Sequence, residues 1–160
     1  MRAALLLLLA CCGHASFPKS EPHELFGRAL PDIRPSRTLD GVRIKREDLA
    51  GRVVVVKFFA DYCEPCKRTL PEAERVHASH GDVIFIGISE DETAEQALGV
   101  VHAFGLTFPI IKDVERQISG RFRVSDMPIT FVIDRLGTIR WVGGPTQTGD
   151  DLERAVEAAR

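Results

Sequence analysis

The run Val53-Val54-Val55-Val56-Lys57-Phe58-Phe59 is β-branched or aromatic at every position but Lys57. Such a run predicts a strand buried on both faces, and so the middle of a sheet covered by helices. It leads into Asp61-Tyr62-Cys63-Glu64-Pro65-Cys66, and a helical pattern follows from Lys67 to about His80. Strand, C-x-x-C and helix in that order set the first sulfur at a helix N-terminus. Free N–H groups and the helix dipole favour thiolate there. The second sulfur is one helical turn on, near enough to close a disulfide. This is an arrangement for thiol redox chemistry.

The rest of the chain alternates. Thr38 to Ile44 predicts a hairpin turning at Asp40-Gly41, followed by a helical turn over 46–50. Leu70, Ala73, Val76 and His80 approximate one face of the helix after the thiols, and Pro71 inside it is expected to kink it. Further strands are expected at 83–89, 108–111, 129–134 and 139–142, the last two as a hairpin around Leu136-Gly137. Helices are expected at 92–104 (Ala94, Ala97, Leu98, Val101 and Phe104 inward) and at 114–122 (Ile118 and Phe122 inward). A closing helix carries Leu152, Ala155, Val156 and Ala159. The pattern predicts an α/β sandwich: a mixed central sheet flanked by helices, with an N-terminal hairpin.

A chain of 160 residues has room for one domain with a core that needs no disulfide staples. A net charge of −2, with no basic run or stripe, argues against a nucleic-acid partner. The N-terminus differs from the rest: Met1-Arg2, then an apolar block from Ala3 to Ala10 that is too short to span a bilayer. An export signal over 1–15 is the expectation. Leu8-Leu9-Ala10-Cys11 resembles the bacterial lipoprotein box, with Cys11 lipidated, and Gly13-His14-Ala15 offers an ordinary cleavage site instead. Residues 16–24, with Pro18 and Pro22, are expected to tether this segment to a domain over 25–160. Export would place the protein in the cell envelope or periplasm. Beyond Cys11 and Cys12 only Cys63 and Cys66 remain, and one local bridge closes almost no loop. The pair therefore reads as reactive. Zinc would need two more soft ligands, which His77, His80 and His102 do not supply in a ligand-pair pattern, so no metal is expected. With no nucleotide or flavin motif either, the expected redox group is the Cys63–Cys66 disulfide itself.

Ser125-Asp126-Met127-Pro128-Ile129-Thr130 places a proline directly before a strand, where a cis bond would hold a tight turn. With the C-x-x-C and this proline together, the chain from about Leu25 resembles the thioredoxin superfamily, in which a cis-proline loop faces the thiols. Within it the chain is most similar to the TlpA/ResA branch of exported thiol–disulfide oxidoreductases. The likeness rests on Cys63-Glu64-Pro65-Cys66, on Pro71, on Pro128 to Asp134, and on a stretch between Ser89 and Pro128 long enough for an added strand and helix.

The resemblance implies that Cys63 attacks and Cys66 resolves, with Tyr62, Glu64, Pro65, Met127 and Pro128 meeting the substrate. It implies a disulfide-containing exported protein as substrate, apocytochrome c among the candidates, and a membrane thiol as electron donor. Glu64 should oppose a thiolate on Cys63, which suits a reductant. Two positions depart from the branch. Thr69 stands where it often has Glu, and Lys57 stands where thioredoxins carry a buried acid. Lys57 could tune the thiols or snorkel to the sheet edge. A thiol peroxidase and a copper-binding chaperone are the alternatives. The expected peroxidatic P-x-x-x-T/S-x-x-C pattern is absent around Cys63. Copper chaperones usually space their cysteines by three residues and add a distant His.

Overall fold

Val54–Phe59 forms strand β3 with all six side chains buried, as a central strand requires. In a computed structural model that describes residues 16–33 and 36–160, β3 is the middle of a five-stranded sheet. The others are β4 (Ile84–Ser89), β5 (Ile110–Lys112), β6 (Ile129–Ile133) and β7 (Ile139–Gly143), in the order β5-β4-β3-β6-β7. β4 runs parallel to β3 and β5 parallel to β4, whereas β6 and β7 are antiparallel to their neighbours. The expected mixed sheet is present.

The parallel crossovers are made by α2 (Glu64–Ser79) and α3 (Ala94–Phe104), on the face where α5 (Gly149–Ala158) also packs. Val55, Phe59, Leu70, Ala73, Val76, Val132, Leu152 and Val156 form the apolar layer on that side. The opposite face is covered by α1 (Arg46–Leu49), α4 (Gln117–Arg121) and the N-terminal segment. Leu30, Ile33, Leu49, Ile118 and Phe122 pack there on Val54, Val56 and Phe58. Alternate residues of β3 thus point to opposite layers.

Several boundaries move for local reasons. The helix after the thiols begins at Glu64, not Lys67, because Pro65 in its first turn suits a helix start and carries no apolar periodicity to reveal it. It runs on through Pro71 to Ser79. α3 begins at Ala94, where Thr93 and Gln96 form a reciprocal cap. It buries Ala97 and Val100, while Leu98, expected inward, is 39% exposed. The helix expected over 114–122 is interrupted: Val114–Arg116 is a 3₁₀ turn with Glu115 and Arg116 at positive φ, and the α-helix begins only at Gln117. The carboxylate of Asp113 starts it, accepting from the N–H groups of Ile118 and Ser119.

The N-terminal segment closes both edges of the sheet. The hairpin of β1 (Ser36–Arg37) and β2 (Arg43–Ile44) turns at Gly41, whose φ of +85° suits glycine. It lies against β5 through Leu39 N–H to the Ile110 carbonyl. Residues 16–24, expected as a tether, are in part seated. The Trp141 indole donates to the Lys19 carbonyl, and Glu21 N–H donates to Val142 on the outer edge of β7. Gly27 and Leu30 continue along the same edge with N–H bonds to Ile139 and Gly137. A β-edge with free N–H and C=O groups invites foreign strands, so covering it is a structural role. The expected export signal over 1–15, with Cys11, lies outside the described residues.

Candidate active site

The strand β3 ends at Phe59, and the chain turns through Ala60-Asp61-Tyr62 into α2 with Cys63 as its N-cap residue. Cys63 N–H bonds the Ala60 carbonyl, and Cys66 N–H bonds the Cys63 carbonyl. Cys63 and Cys66 form a disulfide, with Cα atoms 5.3 Å apart. The two sulfurs are not equivalent. Cys63 is 6% exposed and Cys66 is wholly buried behind it, in the layer that holds Val55, Phe59 and Leu70.

The Met127–Pro128 bond is cis, as expected. β6 pairs with β3 through Phe58 opposite Ile129, so Pro128 stands beside the exit of β3 toward Cys63. Pro128 is buried, and Met127 is half-buried against the apolar layers on both sides of the sheet. Tyr62, Glu64 and Pro65 are exposed around Cys63. The residues expected to meet a substrate therefore surround one end of the sheet.

Glu64 is 82% exposed at its side chain and ion-paired to Lys67 at 2.6 Å. Its charge reaches Cys63 through water and against a counter-charge, so its influence is screened. Lys57 is in the opposite condition. It is 1% exposed and does not snorkel. Its Nζ donates to Thr69 Oγ1 at 3.0 Å and to Thr130 Oγ1 at 3.3 Å, and among the described residues no carboxylate is bonded to it. Burial pulls its pKa down to about 7, against a smaller upward pull from Glu72 and a downward one from Arg68. Thr69, one turn after Cys66, also donates to the Cys66 carbonyl at 3.4 Å.

Sequence reasoning missed the residues that hold the active-site loop from the side. Asp91 accepts from Asp61 N–H at 2.7 Å and from the Ser89 hydroxyl at 2.7 Å, tying the loop to the end of β4. Burial pushes its carboxyl up from the ordinary range. Glu90 is buried at its side chain and pairs with Arg116 at 2.8 Å. This joins the turn between β5 and α4 to the rim beside Tyr62. Partial burial first, and then the charge of Glu90, push the Tyr62 phenol up. Thr130 was equally unmarked, although its position two residues after Pro128 puts it on the same face of β6. Among the described residues no three His, Cys, Asp or Glu side chains come together as metal ligands would.

A thioredoxin-like sheet, a C-x-x-C at the start of α2 and a cis-proline beside it define a class, the thioredoxin-fold thiol–disulfide oxidoreductases. Residues 26–142 match the model of the AhpC/TSA family, and the chain belongs to that family. It is 29% identical over 168 residues to the thiol-disulfide oxidoreductase ResA of Geobacillus kaustophilus, covering 100% of this chain and 95% of that protein. To the thiol-disulfide oxidoreductase ResA of Bacillus thuringiensis it is 30% identical, over 72% of this chain and 68% of the relative. The crystal structure of a secreted Mycobacterium tuberculosis disulfide oxidoreductase homologous to Escherichia coli DsbE superposes with a TM-score of 0.72. Its identity is 26%, over 77% of this chain and 93% of that one. The protein is a thiol–disulfide oxidoreductase of the ResA/DsbE type.

Proposed function

We propose that the enzyme is an exported reductant of protein disulfides, with Cys63 as the attacking thiolate and Cys66 as the resolving thiol. The observation that carries this is the unequal burial of the pair: Cys63 reaches the surface and Cys66 does not. Only Cys63 can meet a disulfide on another protein. The Cys63 thiolate attacks one sulfur of the substrate disulfide, and the other sulfur leaves as a thiolate. The Cys66 thiolate then attacks Cys63, closes the internal disulfide and releases the second substrate thiolate. The pair is oxidised, the substrate is reduced, and the solvent supplies protons to the two leaving sulfurs. A membrane thiol donor would restore the dithiol.

Tyr62, Glu64 and Pro65, with the half-buried Met127 and the backbone at the buried Pro128, border Cys63 where the substrate chain would lie. The backbone beside the cis bond offers it a strand-like partner. The apolar N-terminal block supports export, with lipid on Cys11 as the proposed anchoring device. No helix among the described residues is long and apolar enough to cross a membrane. Apocytochrome c, whose haem-binding cysteines must be reduced, is the substrate that the likeness to ResA and DsbE suggests.

Trapping tests the reading. A Cys66→Ala variant expressed with its export signal should accumulate mixed disulfides at Cys63, and the captured protein identifies the substrate. An empty trap under both oxidising and reducing growth contradicts it. Rapid peroxide consumption that survives loss of Cys66 would identify a peroxidase instead.

A further inference from the structure

Charge is unevenly spread over this protein. The chain has a net charge of −2, yet two adjoining hollows around α4 are lined by Arg37, Lys112, Arg116, Arg121 and Arg123. Gln117 and Arg121, one turn apart on α4, border both hollows. Asp113 lies beneath them but is buried, and its carboxylate accepts from Ile118 N–H, Ser119 N–H and Ser119 Oγ. Arg37 and Arg121 donate to the backbone carbonyls of Gly41 and Asp32, and among the described residues neither they nor Lys112 are ion-paired. Arg123 faces Glu24 at 3.9 Å with both side chains exposed, a contact of little strength. The cations form a ridge with donors to spare.

The backbone on either side of α4 is strained. Glu115, Arg116 and Arg123 are the non-glycine residues of positive φ among the described residues, at 55°, 54° and 54°. Neither Glu nor Arg eases that conformation as Gly or Asn would, and such strain persists where the surroundings impose it. Two of the three belong to the ridge. The turn brings a guanidinium nitrogen of Arg116 to 2.8 Å from the buried Glu90 carboxylate, while the Arg116 side chain stays 60% exposed. The contact is ionic and not aligned as a hydrogen bond, so the arginine fork keeps its donors for the outer side. Glu90 follows β4, and its N–H bonds the Phe59 carbonyl at the end of β3. The ridge therefore reaches the active-site loop at Tyr62, whose phenol feels both Glu90 and Arg116.

We propose that this arginine ridge docks a protein partner whose acidic side chains lie a few residues from the cysteine that meets Cys63. This rests on the reading that Cys63 attacks a disulfide of another protein. Continuity argues for a protein: whatever occupies the ridge also covers the rim at Tyr62, beside the outer sulfur. The sheet order puts Cys63 between two holds, because it follows β3, with the cis bond at the start of β6 on one side and the ridge beyond β4 and β5 on the other. Charge sets where the acids fall. Beside Cys63 in the chain the charged side chains are Asp61 and Glu64, and Glu64 already has Lys67. An acid immediately next to the partner's cysteine meets like charge there, whereas one displaced toward α4 meets the ridge. Exposed cations of this kind act on encounter and orientation, and salt screens them.

Encounter rates test this. Reduced protein is mixed with peptides of about twelve residues, long enough to reach from the thiol along α4, each with its cysteine in a disulfide with an aromatic thiol. Attack by Cys63 on the peptide sulfur expels a coloured thiolate. A run of Glu starts about four residues before the cysteine in one peptide and about four after it in another, and matched peptides carry Gln instead. At low salt the better Glu peptide should react about tenfold faster than its Gln match, and ~0.5 M salt should cut that ratio to about twofold. Arg121→Gln with Arg123→Gln, which leaves Arg116 on Glu90, should lower the low-salt ratio to about twofold, and Lys at both positions should restore it. Arg140→Gln with Arg154→Gln removes the same charge from β7 and α5, where both side chains are exposed, and should leave the ratio as in wild type. A wild-type ratio near one for both placements overturns the proposal, as does a ratio that survives loss of Arg121 and Arg123 or falls equally in the β7 and α5 control. Binding to phosphatidylglycerol vesicles that is lost with Arg121 and Arg123, while the peptide ratio stays, would assign the ridge to a lipid surface instead. Coloured thiolate released by Cys63→Ala at the wild-type rate would refute the underlying role of Cys63, a result separate from the ratio.

Discussion

Glu64 and Lys57 both bring an ionisable group to the same pair of sulfurs, one from the rim of the site and one from its floor. Glu64 is exposed and already paired with Lys67. Lys57 is sealed under α2 with two threonine hydroxyls. A unit charge at about 4 Å is worth ~1 kcal/mol in water and ~4 kcal/mol at an effective dielectric of about 20. By that measure a buried charge is felt several times more strongly than an exposed one at equal distance, although the exposed residue here is the one inside the C-x-x-C motif. In a buried redox pair the group with influence is the one that cannot be hydrated.

The largest effect of this contrast should appear in stability. The Lys57 pKa is lowered to about 7 in the folded protein, below the ordinary value of 10.5. Between those values the unfolded chain binds a proton that the folded one does not, so stability rises with pH across that window. Below it the amine is charged in both states and the full cost of burying the ammonium is present. Lys57→Met should therefore stabilise the protein at pH ~6 by about 1–3 kcal/mol and flatten the rise from neutral to alkaline pH. Denaturant titrations of both proteins at several pH values measure this. A wild-type curve without that rise would mean that the amine is better solvated than its burial indicates.

The smaller effect belongs to the rim. Glu64→Gln should lower the pKa of Cys63 by no more than about 0.3 of a unit, and ~1 M salt should erase the difference. Thiolate absorbance of the reduced protein reads this directly. A shift of a full unit would show that Glu64 acts on Cys63 inside a dry site, and the contrast between rim and floor would collapse.

How much of this the residues announced divides along the same line. The run 53–59, the C-x-x-C and Pro128 were legible because each is a local signal: an uninterrupted apolar strand, a two-residue spacing, a proline at a strand entry. Lys57 could be flagged as out of place but not positioned. Whether it snorkels or stays buried depends on Thr69 and Thr130, which lie 12 and 73 residues away in the chain. The helix start at Glu64 was hidden because its first turn carries no apolar stripe. The break at Glu115 and Arg116 was hidden because neither residue type favours positive φ, and the ion pair of Arg116 with Glu90 joins elements far apart in sequence. The segment 16–24 looked like a tether because pairing along a β-edge uses backbone groups, which composition does not reveal.

The central claim is that the fold gives the two sulfurs different positions, an outer one that meets the substrate and an inner one that does not. It is tested most directly by treating the fully reduced protein with substoichiometric iodoacetamide near neutral pH and locating the label by peptide mass spectrometry. The account predicts label on Cys63 and almost none on Cys66 until the protein is unfolded. Equal labelling of the two, or labelling of Cys66 first, would contradict it.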